Sequence, residues 1–346
     1  MAGVGVLRIA NKKLIIKLIR EHPNISRKDL AKILNVSKNT VSLAVEELIN
    51  EKIIEEKSVS VEEKGRGRPK VALDIQVDNL KIMSVNLKKE EVHICIYNYR
   101  TSIIYEQKFP YEGNMEEFAN VLLDLESSFG EFIGITVIIP GIVDSIKGKV
   151  VYSEKLMWKE IDLVFFLKKY LKSPLYIQNN VKCTAIYQAW KNNNSETIYY
   201  LKVDQGIGSA LIVNGEIWEG AFNVAGEISH IRLENGQTLE EICNTNNLEN
   251  KSVEQRKKFI KNVAANIAQV LKHTIVLINP NRIIIESKYC EENVFQTEIW
   301  NTLNQQLLDE ILKDLSINFN TNITPPLLGG AILTIFEYEK IEGVTT

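Results

Sequence analysis

The segment "SRKDLAKILNVSKNTVSLAVEELINE", Ser26 to Glu51, fixes the reading of the chain's first domain. Ser26 followed by Asp29 three residues on is a capping-box pattern, and Leu30, Ile33 and Leu34 behind it share one helical face. "NVS" makes a tight turn, and Ser37 caps a second helix. In that helix Val41, Val45, Leu48 and Ile49 form the buried stripe, which leaves Lys38, Asn39 and Ser42 exposed near its start. Two short helices across a tight turn, the second presenting short polar side chains at its N-terminal end, form the helix-turn-helix arrangement that enters a major groove. Ser37, Lys38, Asn39, Thr40 and Ser42 are the residues expected at the groove edge.

Upstream, Ile9, Leu14, Ile15, Leu18 and Ile19 recur at helical spacing, and His22-Pro23 stops that helix because the residue before proline is pushed out of the α region. Downstream, "IIEEKSVSV" and "VALDI" are β-prone runs around "EEKGRGRPK", Glu62 to Lys70, which predicts a hairpin wing over 53–75 that closes a DNA-binding domain at 1–75. Arg66 and Arg68 stand between glycines at the wing tip, the arrangement that reaches the negative floor of a narrow minor groove. Charge agrees: residues 1–70 hold 15 Lys+Arg against 9 Asp+Glu, so the remainder holds 26 against 35 in a chain of net charge -3. A basic head on an acidic body points to nucleic acid as the head's partner.

With 346 residues, 45% of them hydrophobic, the chain is long enough for two or three domains with real cores. Its longest apolar run, "EFIGITVIIPGIV", is interrupted by Gly134, Pro140 and Gly141 and is too short to span a bilayer, so a cytoplasmic protein is expected. Cys95, Cys183, Cys243 and Cys290 lie far apart with no C-x-x-C pair, and are read as buried, reduced core residues. From Lys81 onward strand-like runs ("KIMSVNLKKEEVHICIYN", "FIGITVIIPGIV", "YIQNN", "TIYYLKVDQGIGSALIVNGEIW") alternate with helical ones ("NMEEFANVLLDLESSF", "VKCTAIYQAWKNN", "VEQRKKFIKNVAANIAQVLKHTIVLI"). Alternation of this kind predicts an α/β body with a helix-covered sheet in two lobes.

The body resembles the ROK family of bacterial sugar-responsive repressors and sugar kinases. The likeness rests chiefly on "DQGIGSALIVNGEIWEGAFNVAGEISHI", Asp204 to Ile231, with its glycine-rich strand pair, "NG" turn and "AGE" motif. "PGIVDSIKGKVVYSEKLMW", "INPNRIII" and the late "LGGA" support it. The resemblance implies an actin-like, hexokinase-type fold, with 79–190 plus a C-terminal helix at 329–346 as the first lobe and 191–328 as the second lobe, carrying dimerisation helices. The "GRGRP" winged helix is similar to the sugar-responsive, xylose-repressor-like branch, since the family's kinases lack that domain.

Departures from the kinase pattern imply that catalysis is lost. "VNLKKEEV" has Asn86 where the kinases have Asp, and Lys88, Lys89 and Glu90 where a phosphate cradle needs small residues. Asp204 and Gln205 stand where the kinases have small residues and a threonine. The kinase segment whose Asp deprotonates the sugar is here Gln178, Asn179, Asn180, Val181 and Lys182, and an amide is no general base at neutral pH. The family's structural zinc loop is also missing: His230 remains, but Thr238 stands near the last cysteine's place and Cys243 lies beyond it, so no metal and no cofactor are expected. Asn179, Asn180, Glu227 and His230 match the family's sugar-facing positions and are the expected ligand site; Lys155 reads as a solvated lysine. The resulting expectation is a homodimeric, possibly tetrameric, repressor of sugar-utilisation genes that binds operator DNA and is modulated by a sugar or sugar derivative in a degenerate kinase-like cleft. The alternatives are an active sugar kinase with an accessory DNA-binding domain and a ligand-independent DNA-binding regulator.

Overall fold

The structure, a computed structural model, describes residues 4–59, 70–192, 196–233, 235–248 and 251–340. The N-terminal head is α1 (Val4–Glu21), α2 (Arg27–Leu34) and α3 (Lys38–Asn50), followed by the antiparallel hairpin of β1 (Ile54–Val59) and β2 (Lys70–Ile75). Both expected caps form. The Ser26 hydroxyl accepts from the Asp29 amide while the Asp29 carboxylate accepts from the Ser26 amide, and the Ser37 hydroxyl accepts from the Thr40 amide. Asn35 ends α2 in the left-handed conformation, which sets the tight turn.

The head's core is Ile15, Ile16, Ile19, Leu30, Val45 and Leu48, with Ile54 and Leu73 of the wing packed beneath. Two details of the expected stripes change. Ile33 is exposed, because α2 buries Leu30 and Ala31 instead, and in α3 Ala44 joins Val41, Val45 and Leu48 while Ile49 is only half-buried. Arg27 cross-links the motif: its Nε donates to Glu56 Oε1 of β1 at 2.9 Å and its guanidinium to the Ser42 carbonyl of α3 at 3.2 Å.

Beyond the head run β3 (Ile82–Leu87), β4 (Glu91–Tyr97), β5 (Ile103–Pro110), α4 (Met115–Phe129) and β6 (Gly134–Ile139). Next come β7 (Ile142–Asp144), β8 (Lys149–Ser153), β9 (Trp158–Ile161), α5 (Leu163–Leu167), β10 (Leu175–Asn179) and α6 (Asn180–Lys191). The later half holds β11 (Ile198–Val203), β12 (Ile207–Val213), β13 (Glu216–Ile217), α7 (Leu239–Cys243) and α8 (Val253–Ile278). It closes with β14 (Arg282–Ser287), α9 (Asn293–Gln306), α10 (Asp309–Leu312), β15 (Ser316–Asn320) and α11 (Pro326–Glu339). The larger sheets have orders β10-β6-β3-β4-β5 and β13-β12-β11-β14-β15, and β7-β8-β9 form a small third one. In each five-stranded sheet an antiparallel run lies beside strands reached by helical crossovers, the mixed α/β construction expected from the alternation.

By internal contacts the chain forms two compact units, Met1–Val137 with Val164–Tyr176 and Ala331–Thr346, and Ile138–Leu163 with Ile177–Gly330. The expected lobes are 79–190 with a C-terminal helix at 329–346, and 191–328; the C-terminal helix falls with the first unit from Ala331 onward, and the other boundaries lie elsewhere. The division cuts through β6 and β10, and α6 falls in the second unit because it packs on β12. The head belongs to the first unit, where a buried ion pair holds it: Arg20 of α1 donates through Nε to Glu339 Oε1 at 2.7 Å and through Nη2 to Oε2 at 2.8 Å. The Tyr99 hydroxyl donates to the same carboxylate at 2.5 Å, and Lys13 reaches the Lys340 carbonyl at 2.9 Å.

In the second unit the expected long helix α8 packs Ile260, Val263, Ala264, Ile267 and Leu271 into the core with α9, Ile283 and Ile285. A core role is therefore settled for that face. The "NG" turn is as expected, with Asn214 and Gly215 both at positive φ between β12 and β13. Gly226 of "AGE" has φ +91°, and a Cβ there would stand 2.2 Å from the Ser209 carbonyl oxygen. Gly329 of "LGGA" lets α11 approach α6, since a Cβ would lie 1.7 Å from the Cys183 carbonyl oxygen.

Candidate functional site

Two groups of predicted residues have distinct places. In the head, Ser37, Lys38, Asn39 and Thr40 are all exposed at the start of α3, and Ser42 is half-buried. The Ser37 and Thr40 hydroxyls are 2.8 Å apart and tied together by the cap, so Lys38 and Asn39 are the longer side chains left to reach outward. Lys38 makes no ion pair among the described residues. Arg66 and Arg68 lie outside the described residues; β1 and β2 pair over six residues from Ile54↔Ile75 to Val59↔Lys70.

The second group lies wholly in the second unit, where β10 ends and α6 begins. Asn179 caps α6, its Oδ1 accepting from the Val181 and Lys182 amides at 2.7 and 3.1 Å, while its Nδ2 donates to the Gly141 carbonyl at 2.7 Å. Both amide atoms are thus engaged with backbone, and Asn179 braces the strand-to-helix turn. Asn180 is half-buried; its Oδ1 accepts from the Val181 amide at 3.0 Å, and its Nδ2 has no partner among the described residues.

Glu227 and His230 follow on the "AGE" loop, Glu227 half-buried and His230 exposed. Burial pushes the Glu227 carboxyl above its ordinary value, against the opposing pull of Lys182 and His230. Lys182 and His230 thus lie close enough for their charges to act on the Glu227 carboxylate. Neither the Glu227 carboxylate nor the His230 ring makes a hydrogen bond among the described residues. Asn180, Glu227 and His230 therefore offer free polar atoms of both kinds, donor and acceptor, of the sort that hold a polyol.

A buried pair that sequence spacing did not flag sits beside them. The Lys182 ammonium, on a side chain only 3% exposed, contacts Glu219 Oε2 at 2.5 Å and reaches the Asn223 carbonyl at 3.3 Å. Gln178 Nε2 and the Ser145 hydroxyl donate to Glu219 Oε1 at 2.8 and 3.3 Å. Lys182 falls one helical step after Asn179 and Asn180, so its position was legible; its partner, 37 residues on, was not.

The remaining kinase-pattern positions are accounted for locally. Lys88 pairs with Glu91 across the first hairpin at 2.9 Å, and Asn86 is buried on β3. Asp204 accepts from the Thr245 hydroxyl at 3.2 Å, while Gln205 and Lys155 are exposed. Where the zinc loop was sought, Thr238 and Glu241 form a capping box that starts α7, and Cys243 is buried, its thiol pushed up to about 12 by that burial. Hydrogen bonds orient this loop: Arg232 donates to the Gly236 carbonyl and the Leu233 amide to Gln237. No described helix is long and apolar enough to cross a membrane.

A winged helix-turn-helix head joined to a mixed α/β body of actin-like, hexokinase type defines the fold class. Residues 82–247 match the ROK family and residues 10–55 the winged helix-turn-helix DNA-binding family, so the chain carries a ROK-family domain behind a winged helix-turn-helix. It is similar to the xylose repressor of Caldicellulosiruptor bescii, 28% identical over 260 residues, covering 72% of this chain and 64% of that protein. The DNA-binding transcriptional dual regulator NagC of Escherichia coli is 22% identical, covering 92% of this chain and 90% of NagC. Among solved structures, the ROK family transcriptional regulator that is a homolog of the E. coli MLC protein superposes with a TM-score of 0.81 at 19% identity, covering 96% of this chain and 97% of that one.

Proposed function

We propose that the protein is a sugar-responsive transcriptional repressor that binds a palindromic operator as a homodimer and takes no part in phosphoryl transfer. The observation that carries this reading is the coexistence in one chain of an exposed, capped α3 start beside a hairpin wing and a set of polar groups, the Asn180 Nδ2, the Glu227 carboxylate and the His230 ring, with no hydrogen-bond partner among the described residues. The similarity to a xylose repressor and to NagC supports both halves. Lys38, Asn39, Thr40 and Ser42, with Ser37 as cap, meet the major groove; Arg66 and Arg68 enter the flanking minor groove. Asn180, Glu227 and His230 bind the effector's hydroxyls, and Asn179 positions them. The amide at Asn180 can orient a hydroxyl but cannot remove its proton, and so the pocket recognises a sugar without activating it.

The test is selection of a duplex from a random pool with the full chain, followed by anisotropy titrations with and without xylose, N-acetylglucosamine and glucose. A specific duplex whose affinity shifts with one sugar is expected, since an effector acts only through unequal affinity for the two states. Replacing Arg66 and Arg68 by alanine should lower the log-log salt slope by about one to two per monomer. An unchanged slope would return the wing tip to a linker. Sugar-dependent ATP turnover well above background would overturn the reading in favour of a kinase.

A further inference from the structure

On the outer hairpin of the first unit's sheet, three metal-binding side chains meet far along the chain from the ligand cluster. His93 and Cys95 are two residues apart on β4 and so share a face, and Cys95 stands directly across from Glu106 of β5. His93 Nε2 lies 2.7 Å from Glu106 Oε1, and Cys95 Sγ lies 3.7 Å from His93 Nε2. One donor atom from each residue falls within 4.8 Å of the others. Cys95 is buried, His93 half-buried and Glu106 exposed, so the cluster opens to solvent on the β5 side. Across from Cys95 on the other flank is Ser84 of β3, whose fully buried hydroxyl has no hydrogen-bond partner among the described residues.

We infer that His93, Cys95 and Glu106 form a binding site for a divalent transition-metal ion of the zinc type. An imidazole nitrogen, a thiolate and a carboxylate are the donors zinc takes, whereas magnesium and calcium want oxygen alone. With bonds of about 2.0–2.3 Å in tetrahedral geometry, neighbouring donors stand roughly 3.3–3.6 Å apart. The sulfur-to-nitrogen separation already matches. The 2.7 Å His93–Glu106 contact must open by roughly 0.6–0.9 Å, which an exposed glutamate on the edge strand can supply. The ion binds Nε2 of the Nδ1–H tautomer, the Cys95 thiol gives its proton to solvent, and a fourth position stays open to water. Lys108, cross-strand from His93, is exposed and sits beside the site as its nearest cation on that strand. This site is separate from the family's cysteine loop near His230 and independent of the sugar reading.

The test uses the full chain stripped with a chelator and titrated with cobalt(II), then zinc. One cobalt per chain is expected, with a thiolate charge-transfer band that zinc abolishes, and zinc should raise the thermal midpoint because it binds the native state. Cys95→Ser should remove the band. Glu106→Gln, on an exposed strand position that leaves folding intact, should weaken binding by more than the roughly tenfold that loss of an outer partner costs. No band in the parent protein, a band that survives Cys95→Ser, or an unchanged affinity in Glu106→Gln would each overturn the assignment.

Discussion

Replacing Glu219 with alanine strands a buried ammonium. Glu219 accepts from Lys182, Gln178 and Ser145, and Lys182 has otherwise only the Asn223 carbonyl at 3.3 Å. Breaking a buried pair from one side costs about 3–5 kcal/mol, and the lost bond from Gln178 adds about 1 kcal/mol. The converse change is milder. Lys182→Met leaves Glu219 two of its donors on a side chain 19% exposed, where water can complete its shell, so about 2 kcal/mol is expected. Removing both charges, as Lys182→Met with Glu219→Leu, should restore most of the stability, because an apolar pair of similar volume replaces an ion pair at little net cost. Urea unfolding of the full chain followed by circular dichroism gives the four free energies, and the double-mutant cycle isolates the coupling. If Glu219→Ala costs under about 1 kcal/mol, or if the two single changes cost the same, Lys182 is hydrated and the pair is not the anchor of this turn.

Arg20→Ala should cost about 3–5 kcal/mol by leaving the buried Glu339 carboxylate with Tyr99 alone, and limited proteolysis should then cut around α1 before the rest of the chain. Gly226→Ala combines a left-handed φ with a Cβ 2.2 Å from the Ser209 oxygen, and a loss of more than about 2 kcal/mol is expected in thermal unfolding. Glu227 has a carboxyl raised by burial, so its penalty is full above the raised value and is relieved as pH falls through it. Glu227→Gln should therefore be at least as stable as the parent at neutral pH, the two curves converging below the ordinary value of 4.5, while effector affinity drops. A midpoint difference that grows on acidification would reverse that sign.

The local grammar of the chain was readable in advance. Ser26 with Asp29, Ser37, and Asn214-Gly215 each fix a turn through their own side chain or φ, and each does so in the structure. What composition and spacing could not supply was pairing between distant segments. Ile33 sits at a helical position suited to burial, yet the packing of α2 takes Ala31 in its place. Lys182 stands in the quoted 178–182 segment with no sign of a partner until Glu219 is brought to it, and "HICIY" reads as a strand until β5 sets Glu106 across from Cys95. The unit boundary was illegible for the same reason: β6 and β10 each look like one strand and each serve both units. The four expected ligand positions rest on family resemblance alone, and only the hydrogen bonds separate Asn179, which is used up by the backbone, from Asn180, which is not.

The Arg20–Glu339 bond joins residues 319 positions apart in the chain. Glu339 lies on α11, so this hold on α1 exists only while that distant helix is folded, and loosening α11 releases it without altering a contact inside the helix-turn-helix.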